Sequence, residues 1–246
     1  KVISLVDALE VYQPEVLRYI FAQNKVDHEF SISFDLDVVT VYEAYDRTER
    51  IAWGIEEPKE KDPAKKASII AHEKRIYELS QIENGMPSVK PYQVPFRLLT
   101  TLLQTYSGDI DAVIKSLGDV KPEQEECLRR RCVCAWYWIN ESAPDCAPDF
   151  CFKIRTDGSK AEDITGDMLT AVQRVRDEVV PRVGSFETDK ECQQAMYDIA
   201  TGLGLEAKAL FTALYHALIN KDQGPRLASF MKIIGKEKLA EILKVY

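Results

Sequence analysis

Histidines, Cys-x-x-Cys pairs and long apolar runs are few in this sequence or missing from it, and each scarcity removes a class of function. Only three histidines occur, His28, His72 and His216, far apart along the chain. A lone histidine beside Glu29 or Glu73 reads as a surface residue rather than a catalyst. The six cysteines (Cys127, Cys132, Cys134, Cys146, Cys151, Cys192) include no Cys-x-x-Cys pair, whereas zinc sites favour short spacings that aim two thiolates at one ion. Cys132 and Cys134 fall on one expected helix, where they diverge by about 200°; reduced packing cysteines are the expectation, and a metal is not. No stretch approaches the roughly 20 apolar residues that cross a bilayer, and no basic leader precedes a short apolar run. A Walker loop, a nucleophile elbow and a His-Glu-x-x-His helix are all missing. Gly202-x-Gly204-x-x-Ala207 matches a dinucleotide fingerprint in letters only. That fingerprint needs a preceding strand, and Cys192 to Thr201 reads as a helix, so a helix cap and a tight link account for the glycines. No self-sufficient active site is legible, and no cofactor is expected within this chain.

What is present is a chain of 246 residues with 46% hydrophobic content, enough for one large core or two smaller ones. It reads as soluble and cytoplasmic. The start at Lys1, without an initiator methionine, suggests a truncated or processed product. The net charge of -8 argues against nucleic acid, but the charge is unevenly spread. From Lys221 to Tyr246 six bases (Lys221, Arg226, Lys232, Lys236, Lys238, Lys244) outnumber three acids (Asp222, Glu237, Glu241), which leaves the first 220 residues at -11. A basic end on an acidic body fits gripping phosphate at one place and repelling it elsewhere; a solvated terminal helix face explains the same count.

The signals along the chain are mostly helical. Ser4-x-x-Asp7 is a helix start, and Pro14 opens a second short helix to Ala22. His28 to Phe34 alternates polar and apolar residues, which predicts a half-buried strand. Asp35 or Asp37 caps a helix to about Gly54, on which Glu43 with Arg47 and Asp46 with Arg50 predict surface ion pairs four residues apart. Glu56 to Pro63 is the expected hinge, followed by a helix to Ile82 and a break from Asn84-Gly85-Met86-Pro87 to Pro91. Beyond Pro95 only Phe150 to Ile154 looks extended; the last helices are expected over about 161–180, 188–201, 205–220, 225–234 and 236–245. The fold class is therefore mainly α: a small α/β lobe over residues 1–55, then a helical domain over 64–246, either undivided or in two subdomains, about 64–155 and 156–246. No fixed-period repeat emerges.

Two stretches carry a family resemblance. Val2-Ile3-Ser4-Leu5 through Pro14-Glu15-Val16-Leu17-Arg18-Tyr19 to Tyr42-Glu43-Ala44-Tyr45-Asp46-Arg47-Thr48-Glu49-Arg50 resembles the segment that follows the ATP loop in class I lysyl-tRNA synthetases of archaea and some bacteria. Phe211-Thr212-Ala213-Leu214-Tyr215 through Gly224-Pro225-Arg226-Leu227-Ala228-Ser229-Phe230 to Gly235-Lys236-Glu237-Lys238 resembles the end of their anticodon-binding helical cage. Pro95-Phe96-Arg97-Leu98-Leu99 and Trp138 to Pro144 are also similar. The resemblance implies a stem-contact segment and an anticodon-binding cage, with the Rossmann catalytic domain lying outside this chain. It implies lysine-tRNA ligase activity for a parent enzyme that uses ATP with Mg and lysine, and lysine tRNA as the partner, with no membrane, no DNA and a monomeric state.

Splayed anticodon bases offer pairing edges and faces, which proteins read with backbone groups, guanidinium groups and apolar platforms. The resemblance, shared with glutamyl-type synthetases, points to the turn Gly224, Pro225, Arg226 and Leu227. There glycine lets the backbone approach, Arg226 donates or stacks, and Leu227 and Phe230 wall a base pocket. Lys221 and Arg97 are further candidates, with the run Arg129-Arg130-Arg131 weaker because it straddles a helix. Trp136 and Trp138 read as core. The glutamyl-type equivalent and a helical protein-interaction module remain alternatives, and a plain Gly-Pro helix junction with Arg226 on the surface explains the turn without RNA.

Overall fold

The computed structural model describes residues 4–25, 27–83 and 85–246. Val2 and Ile3, where the first resemblance begins, and Asn84 of the expected break lie outside the described residues. Among the described residues there are thirteen α-helices and no strand, a mainly α fold. Residues 1–148 and 149–246 form two compact units.

The first unit begins with α1 (Leu5–Val11), started by the expected capping box. Ser4 Oγ accepts from the Asp7 N–H at 3.1 Å while the Asp7 carboxylate accepts from the Ser4 N–H at 3.0 Å, satisfying two donors that a helix start leaves open. Pro14 opens α2 (Pro14–Ala22). The predicted strand over His28 to Phe34 is not formed. The segment is a loop in which backbone acceptors go to side chains: Tyr12 Oη donates to Ser33 O at 2.8 Å and Trp138 Nε1 to Phe34 O at 2.7 Å. A single alternating segment has no ladder without a neighbour, and here Phe30 packs edge-on against Phe21 at 5.1 Å instead.

Next come α3 (Asp37–Ala52) and α4 (Pro63–Ser80), the latter capped by Asp62. They are tied together by Thr48 Oγ1 donating to Glu73 at 2.6 Å and Tyr77 Oη donating to Glu49 at 3.1 Å. The ion pairs expected along α3 are replaced by tertiary ones. Glu43 takes Arg97 at 2.8 Å, Arg47 and Arg50 both take Glu56, and Asp46 is buried and takes Arg131. A partner held rigidly by another element outcompetes a flexible side chain one turn away.

The unit is completed by α5 (Phe96–Thr105), α6 (Ile110–Leu117), α7 (Pro122–Glu141) and α8 (Ala143–Cys146). Its core is aromatic: Tyr42 stacks on Phe96 at 4.0 Å, and Trp138, fully buried, lies 5.9 Å from Phe96. Into this core α7 sends Arg131, 5% exposed, whose guanidinium makes two bonds to Asp46 (2.8 and 2.7 Å) and lies 5.0 Å from the Tyr42 ring centroid.

The second unit begins in the Asp149 to Thr165 segment, where the stretch expected to be extended is again a loop. The helix expected from residue 161 starts later, as α9 (Gly166–Arg174), because Ala161 to Ile164 makes a turn whose Ala161 N–H donates to Tyr246 Oη at 2.7 Å. It then widens into a π-helical turn (Val175–Val179) and ends in a 3₁₀ turn (Val180–Arg182). Pro181 supplies no N–H and its ring crowds the preceding turn, which breaks the α-helical ladder there. α10 (Asp189–Gly202), α11 (Ala207–Ile219), α12 (Leu227–Ile234) and α13 (Lys236–Leu243) follow. They close a core of Val172, Met196, Leu210, Leu214, Phe230, Leu239 and Leu243, all at most 0% exposed.

Candidate functional site

The α11–α12 connection is where the second unit presents polar groups to solvent. α11 ends at Asn220, which adopts the left-handed conformation (φ 54°) that terminates helices and that asparagine tolerates. The last α11 carbonyls are taken up by Arg155. Its guanidinium donates to His216 O at 3.1 Å and to Asn220 Oδ1 at 3.4 Å, and its own N–H donates to Leu218 O at 2.8 Å. A cation at a helix C-terminus meets both orphan acceptors and the negative end of the dipole.

The chain then turns through Lys221 to Arg226. Tyr215, one turn before the end of α11, lies beneath it: its hydroxyl donates to Pro225 O at 2.6 Å. Gly224 leaves room for that approach. A Cβ there would sit 2.8 Å from Ile219 Cδ1, the far end of a flexible side chain, and 3.2 Å from Tyr215 Cε1, so both neighbours would have to shift. Gly224 and Arg226 are exposed, Lys221 and Pro225 half-buried. Arg226 is the N-cap residue of α12, which has no side-chain cap; among the described residues the Arg226 guanidinium makes no hydrogen bond or ion pair. Leu227 and Phe230 point the other way, into the core, where Phe230 is fully buried edge-on to Phe152 at 5.1 Å.

Beside the turn is an open cleft of about 640 Å³ lined by Asp149, Asp163, His216, Asn220, Lys221, Asp222 and Gln223. His216 sits between two carboxylates, Nδ1 at 2.5 Å from Asp163 and Nε2 at 2.8 Å from Asp222. Partial burial pulls its pKa down, but the bonds to Asp222 and Asp163 outweigh that, and the net is a rise above the ordinary histidine value. On α12 itself, Lys232 pairs with Asp189 at 3.0 Å, and the Asp189 carboxyl is held low by Ser229 and then Lys232.

The structure thus gathers Lys221, Gly224, Pro225 and Arg226 on one surface turn, with Leu227 and Phe230 as its buried anchors. Arg97 belongs to the other unit, on α5, paired with Glu43. The arginine run is engaged in ion pairs: Arg129 with Asp111 and Glu125, Arg130 with Glu15, Arg131 with Asp46. Sequence reading missed Tyr215, Arg155 and the Asp163–His216–Asp222 bracket. Tyr215 stands ten residues before Pro225, on the preceding helix, and His216 lies 53 residues from Asp163, so no local pattern marks either. Among the described residues no group of three or more His, Cys, Asp or Glu side chains is disposed to hold a metal ion, and no helix is long and apolar enough to cross a membrane.

Comparison with known proteins agrees with the resemblance. The family model for class I tRNA synthetases (K) matches residues 1–83. The whole chain is similar to part of the lysine-tRNA ligase of Treponema pallidum, 47% identical over 247 residues covering 100% of this chain and 44% of that protein. That of Borreliella burgdorferi is 39% identical (100% and 45%) and that of the archaeon Thermococcus kodakarensis 30% identical (99% and 45%). The chain spans less than half the length of these relatives. These findings support a place among the class I aminoacyl-tRNA synthetases. Within that class, matches along the whole chain from bacteria and archaea support a fragment of a lysyl-tRNA synthetase.

Proposed function

We propose that this chain is the tRNA-gripping part of a class I lysine-tRNA ligase, and that the turn from Lys221 to Leu227 reads the anticodon of lysine tRNA. The parent enzyme joins lysine to tRNA at the expense of ATP with Mg; this chain contributes recognition, in the cytoplasm. Residues 1–55 serve as the stem-contact segment and 64–246 carry the anticodon-binding part.

The observation that carries the reading is Arg226, an exposed guanidinium on a turn held from below by Tyr215 and opened by Gly224. An arginine with no carboxylate bonded to it keeps its planar fork of donors for an external acceptor or a base face. It stands at the uncapped start of α12, where backbone N–H groups and the positive end of the dipole favour an anionic or acceptor-rich ligand. Leu227 and Phe230 supply the rigid floor that fixes where the guanidinium points. Arg97, on the other unit, is an additional phosphate contact once freed from Glu43.

The test is filter binding of this chain to lysine tRNA and to a transcript with an altered anticodon. Arg226→Gln should cost about 1–3 kcal/mol with the cognate anticodon and less with the altered one. Equal affinity for both transcripts would turn the reading toward a protein-interaction module, and dependence on salt alone toward nonspecific binding.

A further inference from the structure

The bracket beside the turn has a chemical consequence. A neutral imidazole carries one N–H and one lone pair, so it donates to one carboxylate and presents its lone pair to the other. His216 faces a carboxylate oxygen from each ring nitrogen, at 2.5 and 2.8 Å, and only the doubly protonated ring satisfies both. The two carboxylates come from separate segments. Asp163 lies in the turn before α9, and Asp222 lies two residues before Gly224.

We infer that His216 is a positioning residue for tRNA recognition: as an imidazolium it clamps Asp222 to Asp163, fixing the root of the turn that presents Gly224 and Arg226. The inference rests on the proposed reading of that turn. The clamp does two things at once. It removes freedom from the first residues of the turn, so less ordering is left to be done when RNA binds. It also places one positive charge between two carboxylates that would otherwise repel phosphate. The other charged groups around the ring are Asp149 and Lys221 in the same cleft and Arg155, whose guanidinium bonds the His216 carbonyl. Histidine is the side-chain type in this group that ordinarily changes charge near neutral pH.

Because the folded-state pKa of His216 is raised, the clamp is fully formed below the unfolded value of about 6.5 and is lost as pH rises through the folded value. The test uses this chain as it stands. Followed by NMR against pH, the His216 ring should titrate above ~6.5 and should drop toward that value in Asp222→Asn; titration at or below it in the unchanged chain overturns the inference. In parallel, affinity for the anticodon stem-loop of lysine tRNA is measured for the unchanged chain, His216→Gln, Asp163→Asn and Arg226→Gln. His216→Gln should weaken binding about fivefold at low pH, the order of one net hydrogen bond, with the deficit closing as the unchanged chain loses its own clamp at high pH. Asp163→Asn, a substitution at an exposed site, should give the same pH pattern. A deficit that is equal at every pH marks a merely structural role and overturns the clamp. Loss with Arg226→Gln but none with His216→Gln also overturns it while leaving the turn intact. No effect of Arg226→Gln sinks the reading of the turn itself, and no binding by the unchanged chain at any pH sinks both.

Discussion

Glu49 is the residue whose charge state most affects the first unit. It lies 3% exposed on α3, one turn beyond Asp46, accepting from Tyr77 Oη at 3.1 Å and from Gln93 Nε2 at 2.8 Å. Burial, and then repulsion from Asp46, push its pKa up to about 7 against the pull of Arg131, Tyr77 and Gln93. Among the described residues the buried cation nearby, Arg131, is already spent on Asp46, so Glu49 is left with neutral donors. A raised carboxyl pKa means that the folded state holds the proton more tightly than the unfolded chain. The associated stability is complete below the unfolded value and is lost as pH rises from about 4.5 through about 7, roughly 3 kcal/mol in all. Glu49→Gln should keep the bond accepted from Gln93 and reverse the other, its NH2 donating to Tyr77 Oη, and should make the melting temperature nearly flat across that window. A variant whose stability still falls from pH 5 to 7.5 as steeply as the unchanged chain would show that Glu49 is not the group responsible. None of this was legible beforehand. The sequence spelled Asp46 and Arg50 as a surface pair, and only the packed helices decided that Asp46 turns inward to a partner 85 residues away.

At the scale of elements, the α11–α12 connection shows how a tight turn is built from two sides. Gly224 and Pro225 were readable as a helix junction, because glycine and proline punctuate helices by known conformational limits. The aromatic floor was not readable, because Tyr215 contributes from the preceding helix. Replacing Gly224 by alanine sets a methyl group against Ile219 and the Tyr215 ring. The Ile219 end can give way, but the ring is tied by its hydroxyl to Pro225 and the turn must move with it. If the turn binds lysine tRNA as proposed, Gly224→Ala should weaken that binding by a few-fold while costing about 1 kcal/mol or less of stability, since the surface loop takes up the shift. Unchanged binding in a folded variant would argue against the turn as the contact. The strand expected from His28 to Phe34 failed for the opposite reason. Its alternation is real, but a strand is defined by its neighbour, and the elements around it offered side-chain donors from Tyr12 and Trp138 instead of a ladder.

Across the whole molecule, two compact units each hold their own core, one aromatic around the Arg131–Asp46 pair, the other aliphatic around Leu214 and Phe230. Removing one member of a buried pair leaves an uncompensated charge and costs about 3–5 kcal/mol. Arg131→Ala should accordingly lower hydrogen-exchange protection through residues 4–148 and leave the helices of 149–246 protected as before; an equal loss in both units would show that their stabilities are not separable. The sequence by itself determined the helical class, most helix starts and stops, the absence of a recognisable local active-site motif and the family resemblance, because capping residues, prolines and apolar periodicity act over a turn or two of chain. Tertiary structure alone decided which charges pair, where Phe230 points, what lies beneath Gly224 and that His216 stands between two aspartates. Those outcomes depend on groups tens of residues apart meeting at distances under 3 Å, and short-range pattern holds no record of which distant partner will arrive.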